Sequence, residues 1–547
     1  MLQRTISHPL FAAAIVCGLA ACGGNDYSPP PAPAPAPVPA PAPGNAFALT
    51  ASNRLISFNR DTPGAIATNV QITGLMAGES VLGIDFRPAD RMLYALGSGG
   101  RVYTIHTTSG AATLNSTLAA DPTDATSPFT ALAGADFGVD FNPVPDRMRV
   151  VSNTGQNLRI NVDTGATTTD GSINGGAAGT AVSGAAYTNA FAGAGTTTLF
   201  DIDSGTDTLF TQNPPNDGTL ASPVSLGVDA SNVNGFDIDG QNNGAFAALT
   251  VGGATGLYRI NLTAASNAAT LVGAIGVAET IRGLALAPIA APTAFAATAD
   301  NRLVSFAPTA PNTFLTNIAI TGLTGGESVL GIDVRPADNQ LYAITSAARI
   351  YTIDTMTGAA TLKSMLAADP ADATAPFTAL AGTMFGVDFN PFADRLRVVS
   401  DTGQNLRINV DTGATTTDGI INRASGAAVV TGVAYTNNFR SPAATMLFDL
   451  DTMANVLTLQ SPPNDGSLID TGALGVDIAG DVHFDIAGGA NGLGIAALRT
   501  TASGPYTLYR VNVATGAATL IGGNVDSTLS LIGGTAGPVL RGLAIRF

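Results

Sequence analysis

An eighteen-residue stretch, TGQNLRINVDTGATTTDG at residues 154–171, returns unchanged at residues 402–419, 248 positions further along a chain of 547 residues. The same offset pairs Phe47 with Phe295, Asp85 with Asp333, Tyr187 with Tyr435 and Asp237 with Asp485. Solenoid repeats run to roughly 20–50 residues, so this period is a whole domain in tandem. Each copy is long enough to bury a core of its own. The reading divides the chain into residues 1–21 (signal peptide), 22–45 (linker), 46–290 (first copy) and 291–547 (second copy).

Inside each copy runs a weaker period of about 50 residues. In the first copy its units open at Gly83-Ile84-Asp85-Phe86, Gly138-Val139-Asp140-Phe141, Gly184-Ala185-Ala186-Tyr187, Gly235-Phe236-Asp237-Ile238 and Gly283-Leu284-Ala285-Leu286. Later strands in each unit alternate apolar and polar residues, as at 101–105 and 157–162. Turns such as Asp163-Thr164-Gly165 follow them, and a three-residue hairpin loop places glycine in the left-handed region. Repeated four-stranded antiparallel units with almost no helical pattern predict an all-β chain of β-propeller blades. Each copy begins with three strands that lack a first strand and ends on an orphan first strand, at Arg282 and Arg541. Pairing the last strand into the first blade removes the exposed edge. Two tandem five-bladed rings are expected, with one ten-bladed ring as the alternative.

Composition narrows the partners. The net charge of −16 leaves no basic surface to meet phosphates, which excludes nucleic acid. Of the acidic residues only Glu79, Glu279 and Glu327 are glutamates. Asp in such excess belongs to turns, because its short carboxylate bonds nearby main-chain amides.

The N-terminus supplies an address. Arg4 precedes an apolar run at residues 10–20, and Leu19-Ala20-Ala21-Cys22 resembles the lipobox of bacterial lipoproteins. A run this short does not span a bilayer core of about 30 Å, so cleavage before Cys22 and its lipidation are expected. Several acyl chains anchor a protein firmly, and Gly23 in place of Asp favours the outer membrane; a plain secretory signal and a secreted protein are the alternative. The membrane is then a partner through the lipid anchor only. Cys17 and His8 leave with the signal, and the mature chain can form no disulfide. Residues 29–43, PPPAPAPAPVPAPAP, predict a polyproline II spacer of roughly 45 Å at about 3.1 Å per residue.

With that N-terminus, the stretches NRLISF, GESVLGIDFRPAD, LYAL, FGVDFNP and TGQNLRINVDTG resemble the bacterial family called domain of unknown function 4394, over residues 46–547 in two copies. The resemblance implies a secreted or surface propeller-like domain and hands over no catalytic residue. His483, where the first copy has Gly235, departs from the repeat.

First strands of propeller blades face the central channel, so Asp85, Asp140 and Asp237, with Asp333, Asp388 and Asp485, are expected to cluster. They suit either hydrogen bonds between blades or a hard cation such as calcium, with Arg87 and Arg335 as neutralising partners. Asp201, Asp203 and Asp207 have part of a calcium-loop spacing without the terminal glutamate, and turn chemistry explains them as well. Glu79 and Glu327 are the candidates for a general acid, with Asp85 as a second carboxylate, against a plain hydrogen-bonding role. The copies share no His, no Cys remains for thiol chemistry, and no HxxxH or CxxC metal spacing occurs. No cofactor is expected, calcium being the one possible. The expected function is a non-enzymatic cell-envelope binding scaffold for a protein or glycan; the alternatives are a carboxylate-dependent enzyme acting on glycans and a calcium-stabilised structural module.

Overall fold

The structure, a computed structural model, describes residues 42–424, 426–487, 492–521 and 527–547. The signal-like segment, Cys22 and the Pro-Ala tract lie outside the described residues. Ala42–Phe547 forms one compact unit. Among the described residues the regular structure is strand and short 3-10 turns, arranged in ten sheets of four or five strands.

One sheet shows the pattern. Val81–Phe86, Leu93–Gly97, Arg101–Ile105 and Ala112–Thr117 pair in sequence, each antiparallel to the last. Burial falls along this order: Leu93–Gly97 is buried throughout, whereas Ala112–Thr117 is half-buried to exposed. The innermost strands pack against one another from sheet to sheet. Val81–Phe86 meets Phe137–Asn142, which meets Val182–Tyr187, then Ala230–Ile238, then Ile281–Leu286, which packs back against Val81–Phe86. In the second copy Val329–Arg335, Phe385–Asn390, Val430–Tyr435, His483–Ala487 and Leu540–Arg546 repeat that circuit.

The orphan strands find their expected partners. Ile281–Leu286 pairs with Ala46–Thr50, and Leu540–Arg546 pairs with Thr293–Thr298, so the last strand of each copy completes its first sheet. Three sheets gain a fifth, two-residue parallel strand on the outer edge, Ala119–Ala120 and Ala367–Ala368 among them, which covers main-chain groups that an edge leaves unpaired.

Two glycines explain the repeat's spelling. A Cβ on Gly83 would lie 2.5 Å from Val139 Cγ2, so the opener must be glycine for the inner strands to approach. Gly165 has φ +79° in the hairpin and a Cβ there would lie 2.0 Å from the Thr117 carbonyl oxygen. With no Trp in the chain, Phe and Tyr fill the joints between blades, as in the edge-to-face pairs Tyr94–Phe141 and Tyr342–Phe389, both at 5.3 Å. The two copies also touch: Phe191 of the first packs edge-to-face on Phe547 of the second at 5.0 Å.

Candidate functional site

The inner-strand aspartates converge as their spacing implied. Carboxylate oxygens of Asp85, Asp140 and Asp237 lie within 4.8 Å of one another, as do those of Asp333, Asp388 and Asp485, and all six residues are buried. The hydrogen bonds they accept come from main chain. Asp85 accepts from its neighbour Phe86 N–H at 2.7 Å and, across the joint, from Phe141 N–H at 2.8 Å. Asp140 accepts from Tyr187 N–H at 3.1 Å, and Asp237 from Leu286 N–H at 2.6 Å. Each carboxylate thus reaches the residue after the equivalent position in the next blade. Asp333 to Phe389, Asp388 to Tyr435 and Asp485 to Ile545 repeat the arrangement. Blades with alanine at that position, Ala186 and Ala285, have no such clasp to give.

Gathering three carboxyls away from water opposes their ionisation. Burial first, then Asp237, holds Asp85 well above the usual carboxylate range. Burial, then Asp85 and Asp237, does the same to Asp140. Burial pushes Asp237 and Asp485 up to about 7. The trio is therefore biased toward its protonated forms, and a bound cation would take the protons' place. Calcium takes about six to eight oxygens, more than these partly committed carboxylates supply alone. In the second copy Asp388 Oδ2 remains without a hydrogen-bond partner.

Arg87 and Arg335 do not neutralise the trios. Arg87 turns outward and forms paired bonds to Asp146 and Asp163 of the next blade, with Asp90 and Tyr94 beside it. Arg335 does the same with Asp394 and Asp411. The turn after the strand carries the side chain to the rim, where these carboxylates are half-exposed; Asp411 is lowered to about 2, chiefly by Arg335 and then Lys363.

Glu79 and Glu327 sit in buried hydrogen-bond sockets apart from the aspartates. Glu79 accepts from Tyr103 Oη at 2.6 Å and Gly99 N–H at 2.8 Å, with Arg101 at 3.4 Å. Glu327 accepts from Thr345, Arg349 and Tyr351. Burial acts to raise its pKa, yet these donors outweigh it and leave Glu327 lowered, the opposite of what a general acid needs.

Asp201, Asp203 and Asp207 do not converge. Asp203 caps its own turn, accepting from Ala181 N–H at 2.7 Å and Gly205 N–H at 2.8 Å, and Asp207 accepts from Ala230 N–H at 2.8 Å. Asp201 is fully buried, neither oxygen has a partner, and burial pushes it up to about 8.

Other polar features had no sequence signal. Arg149, 1% exposed, bonds Asp170, Asn157, Asn216 and Tyr187, joining two successive sheets; Arg397 repeats each contact. In the second copy alone Asp481, His483, Arg499 and Tyr506 are buried together. Arg499 lies 3.9 Å over the Tyr506 ring and 3.4 Å from Asp481, and burial lowers His483 to about 4.

Two open grooves lie on the first copy, between neighbouring sheets. One, of about 710 Å³, is lined by Phe47, Phe86, Arg91, Met92 and His106 among others. The second, of about 730 Å³, is lined by Asn, Thr, Phe200 and Arg259. Neither lining contains a carboxylate.

Sheet order and inward-facing carboxylates define a tandem protein of β-propeller blades. The chain belongs to the family described as domain of unknown function (DUF4394), which matches residues 54–285 and 302–533, one stretch in each copy. Among solved structures, a protein from Lactobacillus plantarum is similar at 14% identity over 64% of this chain and 95% of its own, with a TM-score of 0.25. BamB from Moraxella catarrhalis is similar at 11% identity over 75% of this chain and 90% of its own, with a TM-score of 0.19. No curated protein matches the chain.

Proposed function

We propose that each copy closes into its own five-bladed ring and that the chain is a non-enzymatic binding scaffold of the bacterial cell envelope, lipidated at Cys22. The return of Ile281–Leu286 onto Val81–Phe86, and of Leu540–Arg546 onto Val329–Arg335, supports two rings over one of ten. The observation that carries the binding reading is the division of polar groups. Carboxylates suited to catalysis are consumed in joints between blades, while the roomy grooves on the loops hold none. Hydrolysis of a glycan by paired carboxyls requires both beside the substrate. Grooves of several hundred Å³ are of the size that holds a ligand.

The test pairs binding with turnover. Mature protein is offered envelope glycans and peptides on an array, and the bound ones are then assayed for cleavage. Retention without cleavage is expected; cleavage that disappears in Glu79→Gln and Glu327→Gln proteins would establish the enzyme instead. For the anchor, incorporation of a labelled fatty acid that is lost in Cys22→Ser is expected. A second reading, in which a cation occupies the aspartate trio, draws on the unpartnered Asp388 Oδ2.

A further inference from the structure

The groove of about 730 Å³ lies between the sheets of Val182–Tyr187 and Ala230–Ile238. Arg259 on its wall is exposed, and its guanidinium is fixed 4.8 Å over the Phe246 ring. Among the described residues no hydrogen bond or ion pair engages that guanidinium, unlike Arg87, Arg149, Arg159 and Arg423 elsewhere. The amides beside it are half engaged. Asn242 Oδ1 accepts from Gly244 N–H at 2.9 Å, and Asn261 Oδ1 accepts from Thr263 at 3.0 Å. Both Nδ2 groups are left as donors. Phe200, Ile260 and Leu262 supply an apolar wall. Asp239, in the flanking loop, is already paired with Arg60. The free amide and guanidinium groups of the groove are therefore donors around one cation, beside threonine hydroxyls and apolar surface.

The second copy shows what this arginine position does when filled. Arg510, followed by Asn512 as Arg259 is by Asn261, lines the corresponding groove of about 470 Å³. There the first copy's own loop lies against it: Gly195 and Thr196 line the groove, and Arg510 Nη2 donates to the Gly193 carbonyl oxygen. The equivalent position thus already holds an oxygen acceptor, provided from within the chain. Arg259 has no such occupant.

We propose that the Arg259 groove binds an acidic saccharide, with a uronic-acid carboxylate on the guanidinium, hydroxyl oxygens on the Asn242 and Asn261 amides, and a sugar face on Phe200. A planar guanidinium takes a carboxylate through two parallel hydrogen bonds, which gives geometric selectivity as well as strength. The chain's net negative charge acts over a screened range of about 8 Å at physiological salt and leaves the local contact intact. This inference rests on the binding-scaffold reading and names its ligand class.

The experiment titrates the mature chain with a galacturonic acid trisaccharide and with a neutral galactose trisaccharide, by calorimetry at low salt. Binding of the acidic sugar alone is expected, weakened about tenfold or more by Arg259→Gln. Arg91→Gln, in the other groove, is expected to leave it unchanged, and both variants to keep the parent melting temperature. Equal affinity for the neutral sugar, or indifference to Arg259→Gln, overturns the proposal. If neither sugar binds while arrayed peptides still do, the saccharide assignment falls and the scaffold reading stands; if nothing binds, both fall.

Discussion

Gly235 and His483 occupy the same place in the two copies and mark where they part. In the first copy Gly235 has φ +135°, a Cβ on it would lie 2.2 Å from Leu284 N, and the strand slips register between Val233 and Phe236. In the second, His483 pairs regularly with Ala497. The straightened strand admits a side chain, and Asp481, Arg499 and Tyr506 gather round it. By contrast, the Arg87 and Arg335 networks and the Arg149 and Arg397 networks repeat bond for bond, as do the bonds from each aspartate trio to the next blade. Sequence identity between the copies follows joints that hold blades together; divergence follows one inner strand and the surface where the copies meet each other.

Four changes probe that comparison, the largest effect first. Arg149→Met and Arg397→Met each strip a buried guanidinium from four partners, and breaking such a buried pair costs about 3–5 kcal/mol. Denaturant unfolding should show equal losses in the two variants. A difference above about 1 kcal/mol, beyond the usual error of extrapolated values, would mean that matching contacts do unequal service.

The trios set a pH dependence. Their folded pKa values are raised, so the folded state binds protons that the unfolded state releases, and stability present at low pH is lost as pH rises toward and through about 7. Between pH 5 and 8.5 the melting temperature should fall by roughly 5 °C, since about 1 kcal/mol moves a domain of this size by about 2–4 °C. Asp140→Asn and Asp388→Asn should flatten the curve equally. Restoration by millimolar calcium at pH 8.5 identifies a cation as the proton's substitute; no response leaves the protons as the sole occupants. His483 acts in the other direction, because its pKa is lowered: it costs stability as pH falls below about 6.5, and His483→Gly should relieve that loss in the second copy only.

The smallest change exchanges one residue between copies. Gly195 corresponds to Ala443, and a Cβ on Gly195 would lie 2.3 Å from Arg510 Cδ. Gly195→Ala should cost about 1–3 kcal/mol through this overpacking, while Ala443→Gly costs under about 1 kcal/mol. Equal effects would show that the loop does not bear on Arg510.

Much of this architecture could be read from the chain because its signals are local. Gly83 must be small for its neighbour strand, Gly165 must turn left-handed, and the unpartnered strands at Arg282 and Arg541 each had one edge to fill. The aspartates were legible as an inward cluster for the same reason, since strand alternation fixes which way Asp85 and Asp140 face. What Asp85 bonds was not, because its partner is the main-chain N–H of Phe141, and every residue but proline has one. Arg87 was assigned to the wrong carboxylates since the turn after Phe86 redirects it by a distance that spacing does not encode. Arg259 and Arg510 look alike in sequence and differ only because a loop from the other copy lies on one of them.

The pairing of each copy's last strand with its first has a consequence for how the chain is made. Synthesis runs from the N-terminus, so Ala46–Thr50 waits with a bare inner edge until Ile281–Leu286 emerges, and Thr293–Thr298 waits in the same way for Leu540–Arg546. The first half can seal while the second is still being translated, and the second seals once Leu540–Arg546 has emerged. Removal of Leu540–Arg546 would spare the first half and leave the second unlatched.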